Sequence, residues 1–208
     1  MSLIYNNTTV VPGKLELLAA WLPGQPWYTG TDSPRLTKAG GFRLDDPAGE
    51  VGIEFMVVTD ESTGRPVTYH VPLSYRAAPL DLAAAGLIGT MEHGVLGRRW
   101  AYDGLADPVL VNALLALVQG EADPQAQSVS DTPDRSVHAH CGAVRLTVAG
   151  PTRGTDVPVA GGDYRAVLRV VRVLTPGDTP PTIGHVMAGW QRLDNSEVRG
   201  CFAVVMPV

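Results

Sequence analysis

The sequence predicts an α+β fold: an antiparallel sheet with a few packed helices, then a smaller, mostly antiparallel β subdomain. Three observations predict it. Two segments alternate with period two around a turn-forming loop, two others carry helical start and stop signals, and no long helical pattern appears between Arg135 and Val208. Val51, Ile53, Phe55 and Val57 alternate with Gly52, Glu54 and Met56; Val67, Tyr69, Val71, Leu73 and Tyr75 alternate with Thr68, His70 and Ser74. Side chains repeat every second residue along a strand, so both segments read as half-buried strands, with one face on a core and the other open to solvent or a partner. Asp60-Glu61-Ser62-Thr63-Gly64-Arg65-Pro66 has the turn chemistry of a hairpin, which makes the pair antiparallel.

Pro12 opens a segment in which Leu15, Leu18 and Leu22 share one helical face, and Pro23-Gly24 ends it. A third strand is expected from Leu96 to Tyr102. Asp107-Pro108 then supplies an N-cap and a first-turn proline for a helix through Val109, Leu110, Leu114, Leu117 and Val118, which Gly120 stops. From Glu121 to Arg135 the chain is rich in Asp, Ser, Gln and Pro and lacks apolar periodicity, as an exposed crossing does. The expected organisation is residues 1–122, a crossing at 123–135, and a second unit at 136–208, with strands at 144–148, 164–174 and 201–206.

The chain has 208 residues and a net charge of −5, with acidic and basic residues interspersed. No positive stripe tracks a phosphate backbone, so nucleic acid is not an expected partner. No apolar run reaches the roughly 20 residues of a membrane helix, and Met1 to Asn6 lacks the basic-then-apolar order of a signal peptide, so a cytoplasmic location and no membrane partner are expected. Cys141 and Cys201 are too few for a disulfide framework and read as buried thiols of a reducing compartment.

Phosphoryl transfer needs an acid to orient the attacking hydroxyl, side chains to hold magnesium and a cradle for phosphates. No P-loop, His-Arg-Asp loop or Asp-Phe-Gly motif supplies them. The reading therefore leans away from an enzyme, with no catalytic residue and no cofactor. Flat rings cover the apolar faces of sugars, and the Pro-flanked loop carrying Trp27 and Tyr28 offers the better exposed pair, with Trp21 and Trp100 as core anchors. His138 and His140 fall on one strand face beside Cys141, the start of a metal site that lacks a second tight ligand pair, so no metal is expected. His93 stands beside Glu92 without a nucleophile motif. The clusters Gly150 to Gly154 and Gly161-Gly162-Asp163 read as hairpin turns, since neither opens a helix.

Three segments carry a family resemblance. Trp21-Leu22-Pro23-Gly24-Gln25-Pro26-Trp27-Tyr28 resembles the opening motif of the maltokinase N-terminal cap family, and Trp100-Ala101-Tyr102-Asp103-Gly104 with Asp107-Pro108 is similar to that cap's closing strand and helix. Ala166 to Gly177, with Gly189-Trp190 and Phe202 to Val205, resembles the small β-rich lobe that joins the cap to sugar kinases of maltokinase and glucosamine kinase type. The resemblance implies a stand-alone cap with its β lobe and no catalytic kinase lobe. Arg169 stands where the family's nucleotide-facing strand lysine would, and a planar guanidinium does not substitute for an ammonium at a fitted site. The implied function is a non-catalytic interaction or regulatory module, its partner another protein such as an enzyme of α-glucan, maltose or trehalose metabolism. Two alternatives are a module that binds α-glucan or malto-oligosaccharide through Trp27, Tyr28 and Trp190, and an accessory subunit that completes a sugar kinase.

Overall fold

A computed structural model describes residues 9–80, 86–127, 129, 132–178 and 181–208. Along the chain come β1 (Val10–Val11), α1 (Lys14–Trp21), β2 (Leu36–Leu44), β3 (Gly52–Asp60), β4 (Val67–Arg76), β5 (Leu87–His93), β6 (Gly97–Asp103) and α2 (Pro108–Val118). They are followed by β7 (Gln125–Ala126), β8 (His138–Cys141), β9 (Thr147–Val148), β10 (Asp156–Gly161), β11 (Tyr164–Val170), β12 (Val173–Leu174), β13 (Gly184–Gln191) and β14 (Glu197–Pro207). The first sheet is ordered β1-β5-β6-β4-β3-β2-β7, with β12 also on β4; the second is ordered β8-β13-β14-β11-β10-β9. The architecture is thus mostly antiparallel β, with helix in the minority.

The expected hairpin forms, with Asp60 opposite Val67 and Gly52 opposite Tyr75. Its surroundings differ from expectation. Both strands are buried along almost their whole length, because Phe55 and Val57 enter one core while Met56, Val58, Tyr69 and Val71 enter another. The open face expected on residues 52–58 and 68–76 is corrected accordingly: α1 and the loop after it cover that side, through Leu18, Leu22, Trp21, Trp27 and Tyr28.

Helix α2 starts and stops as its punctuation dictates, whereas α1 begins at Lys14 with Gly13 as its N-cap, so Pro12 precedes the helix instead of opening its first turn. Glu16 reaches back to accept from the Gly13 N–H at 2.7 Å, and a short 3-10 turn at Leu22–Gly24 closes α1. Asp107 caps α2 by accepting from the Val109 N–H at 3.0 Å, and Gly120, at a φ of 73°, ends it.

Strand β2 carries a bulge between Lys38 and Gly40 that no alternation announces. Gly40 and Gly41 have φ of 141° and 126°, and a Cβ on Gly41 would lie 2.2 Å from the Phe55 carbonyl oxygen. Here glycine lets strand and neighbour approach where any side chain would collide.

The larger core is shared by the two sheets. Phe42 and Phe55 of the first sheet, Leu110 and Leu114 of α2, and Leu168, Val186, Trp190 and Phe202 of the second belong to one buried cluster. Two elements cross the expected division at residues 123–135: α2 packs against β8, β9 and β13, and β12 leaves the second sheet to pair with β4. The crossing segment is itself tied down, since β7 pairs with β2.

Candidate functional site

The chain between β11 and β12 passes from one sheet to the other, and polar side chains collect at that seam. Arg172 is 4% exposed. Its Nη2 lies 2.7 and 2.6 Å from the two carboxylate oxygens of Asp103, at the end of β6. Its guanidinium also lies 5.0 Å from the Trp27 ring, a cation-π distance. Nε and Nη1 are buried without a hydrogen-bond partner among the described residues. Beside it, His70 donates its backbone N–H to the Arg172 carbonyl at 2.9 Å and places Nδ1 3.0 Å from the Val171 carbonyl oxygen. A carbonyl only accepts, so Nδ1 bears the proton of a neutral ring. Burial first, and then the Arg172 charge, push the His70 pKa down to about 3. The ring packs 4.6 Å from Phe202 and 5.9 Å from Phe55.

A second polar cluster fastens α1 to the first sheet. Glu54, 3% exposed, accepts from the Lys14 ammonium at 2.5 Å, the Tyr75 hydroxyl at 2.7 Å and the Gln127 amide at 2.7 Å. Burial alone would raise its pKa; Lys14, Tyr75 and Gln127 together outweigh burial and hold the carboxyl below its ordinary range. At the far end of β3, Asp60 accepts from the Tyr28 hydroxyl at 2.7 Å and the Arg35 amide at 2.8 Å. Burial, then that bond to Asp60, raises the Tyr28 pKa to about 12. Asp107 receives a two-pronged Arg76 at 2.7 Å on both oxygens.

The sequence-expected site residues are spread over three places. Trp27 and Tyr28 are half-buried and lean on Tyr69, at 5.9 and 5.2 Å between ring centroids, over the α1 face of the first sheet. Trp190, 4% exposed, lies in the shared core 6.1 Å from Phe202. Arg169 is exposed on the outer face of the second sheet, where Nε and Nη2 each lie 2.6 Å from an Asp156 oxygen. The fold brings Trp27 and Tyr28 together and separates them from Trp190 and Arg169.

The outer face of the second sheet carries one cross-strand row: His140, His185, Val204, Arg169 and Asp156, each opposite the next in register. The His140 and His185 rings are 5.6 Å apart. Burial, then His140, lowers the pKa of His185. His138 is exposed two residues before His140, whereas Cys141 packs half-buried against the core. Among the described residues no three His, Cys, Asp or Glu side chains gather around one point. Both cysteines are free thiols, half-buried, with pKa raised by burial. An open depression of about 370 Å³ lies at the β10–β11 turn, between Arg145 and Arg165.

The segment from Trp21 to Asp107 carries the aromatic loop, Glu54 with its partner Tyr75, the Asp60 cluster and the acidic cap of α2. That segment, residues 21–107, matches the model of the maltokinase N-terminal cap domain. The chain contains a maltokinase N-terminal cap domain. Within the matched residues lie β2 to β6, and the last of them, Asp107, caps α2. The cap sheet supplies His70 and Asp103 to the seam, and the segment after the cap supplies Arg172.

Sequence reasoning missed Glu54, His70 and Arg172 as the structural centre. The signal was present in part: Glu54 and His70 sit mid-strand between apolar neighbours, Ile53 and Phe55 in one case and Tyr69 and Val71 in the other. A buried polar residue is costly unless its polar atoms find partners, so each marked a place to look for them; Glu54 finds three, and His70 finds the Val171 carbonyl through Nδ1.

Proposed function

We propose that this chain is a non-catalytic interaction or regulatory module acting on a partner enzyme of α-glucan, maltose or trehalose metabolism. The observation that carries the reading is the cap domain at residues 21–107, whose sheet shares one core with a second sheet. A cap sheet that shares a close-packed core with its neighbour is held against it by that packing, which suits docking and restraint of a partner.

The state of the acidic groups supports the same reading. Glu54 is held by Lys14, Asp107 by Arg76, Asp103 by Arg172 and Asp156 by Arg169. A carboxylate already neutralised by an internal cation is poorly placed to hold magnesium or accept a substrate proton. With both faces of β3 and β4 covered, the contact surface falls to the outer face of the second sheet. There Pro158, Val167 and Met206 are half-exposed and lie outside both buried clusters.

The test adds purified chain to enzymes of α-glucan and maltose metabolism and measures rate and KM. The expected result is a saturable change in one enzyme, weakened by Val167→Glu or Met206→Glu. Saccharide-dependent ATP consumption by the chain alone would overturn the proposal, as would the absence of any effect across those enzymes.

A further inference from the structure

The His140 and His185 pair carries an inference that does not depend on the proposed function. The two residues are direct register partners on adjacent antiparallel strands. Val186, next in β13, is fully buried in the shared core, so alternation turns His185, and with it His140, to the outer face. Their ring centroids are 5.6 Å apart and the planes 38° apart, which brings nitrogens of both rings within reach of one ion after small side-chain rotations. His185 Nδ1 is buried without a hydrogen-bond partner among the described residues, so one ring nitrogen lacks the partner that buried polar atoms ordinarily have. The next charged residue along the row, Arg169, stands beyond Val204 and is neutralised by Asp156, so the local field does not repel a cation strongly.

We propose that His140 and His185 form a two-imidazole site for a divalent transition metal of borderline softness, such as Zn2+, Ni2+ or Cu2+. Imidazole nitrogen suits these ions, and hard cations such as Mg2+ prefer oxygen. Two protein ligands leave the remaining coordination positions to water, which makes the affinity modest. Strand β8 is an edge strand with β13 as its neighbour in the sheet, and a metal across the pair would staple that edge.

The experiment uses the full chain without a histidine tag. Thermal unfolding is followed with ZnCl2, with MgCl2 as the control, and the Cu2+ complex is examined by electron paramagnetic resonance. At a hundredfold excess over Kd, Zn2+ is expected to raise Tm by roughly 5–10 °C. Mg2+ is expected to leave Tm unchanged, and the Cu2+ spectrum to show two nitrogen ligands. His140→Ala and His185→Ala, verified as folded by circular dichroism, should each abolish the Zn2+ shift and remove one nitrogen from the spectrum. His138→Ala should keep both signals. The proposal is overturned by no Zn2+ shift, by an equal shift with Mg2+, by a shift that survives both substitutions, or by its loss on His138→Ala.

Discussion

The first sheet is covered on both faces at its centre, whereas the second is covered on one, and this difference governs where polar residues sit in each. In the first sheet Glu54 and His70 point into cores, and each is fastened by named partners: Lys14, Tyr75 and Gln127 for Glu54, the Val171 carbonyl for His70. In the second sheet Arg169, Asp156, His140 and His185 all point outward, and the buried side is apolar. The same two-residue alternation therefore means opposite things. In the second sheet it separates core from water, and in the first it separates two cores, one of which must pay for a charge with a network.

The strongest way to break the comparison is to remove the ring where the sheets meet. Phe202 packs against Phe42 and His70 across the seam and against Trp190 within its own sheet. Phe202→Ala is expected to destabilise the chain by about 3–5 kcal/mol in urea unfolding, and to do so in one transition because the core is common. Two separated transitions would show that the sheets unfold independently.

A smaller effect sharpens the contrast through pH. His70 has its folded pKa depressed to about 3 from the ordinary 6.5. Between those values the unfolded chain binds a proton that the folded chain does not. Its contribution to stability is therefore full above pH 6.5 and falls as the pH drops toward 3. The expected slope from this one group approaches about 1.4 kcal/mol per pH unit below its unfolded pKa. His70→Leu should flatten the stability profile between pH 6.5 and 5, before carboxylates titrate; an unchanged slope there would exclude His70 as the source.

The smallest expected effect belongs to the outer face. Arg169→Ala removes an exposed cross-strand pair with Asp156 and should cost about 0–1 kcal/mol, and less in high salt. A loss as large as that of Phe202→Ala would mean that this face is covered in solution.

Legibility in the sequence followed the strength of local signals. The β3–β4 hairpin was readable because its apolar residues alternate around a turn, and α2 because Asp107-Pro108 and Gly120 mark its ends. Strand β2 was not readable, since Gly40-Gly41 interrupts its pattern for a reason that lies in another strand, the Phe55 carbonyl. The stretch from Tyr164 to Leu174 read as one strand and is two, β11 and β12, because the chain changes sheets at Val171 and Arg172. Trp27 was readable as part of an aromatic cluster; its contact with Arg172, far along the chain, was not.

By itself the sequence determined the antiparallel character of the fold, the ends of α2 and the cap resemblance. Those are consequences of spacing and capping chemistry, both local to a segment. Only the tertiary structure decided that α2 and β12 cross between the sheets, that both faces of β3 and β4 are buried, and that His70, Asp103 and Arg172 meet. Such facts depend on which surfaces cover which, and a linear pattern records that a residue is apolar without recording what lies on its other side.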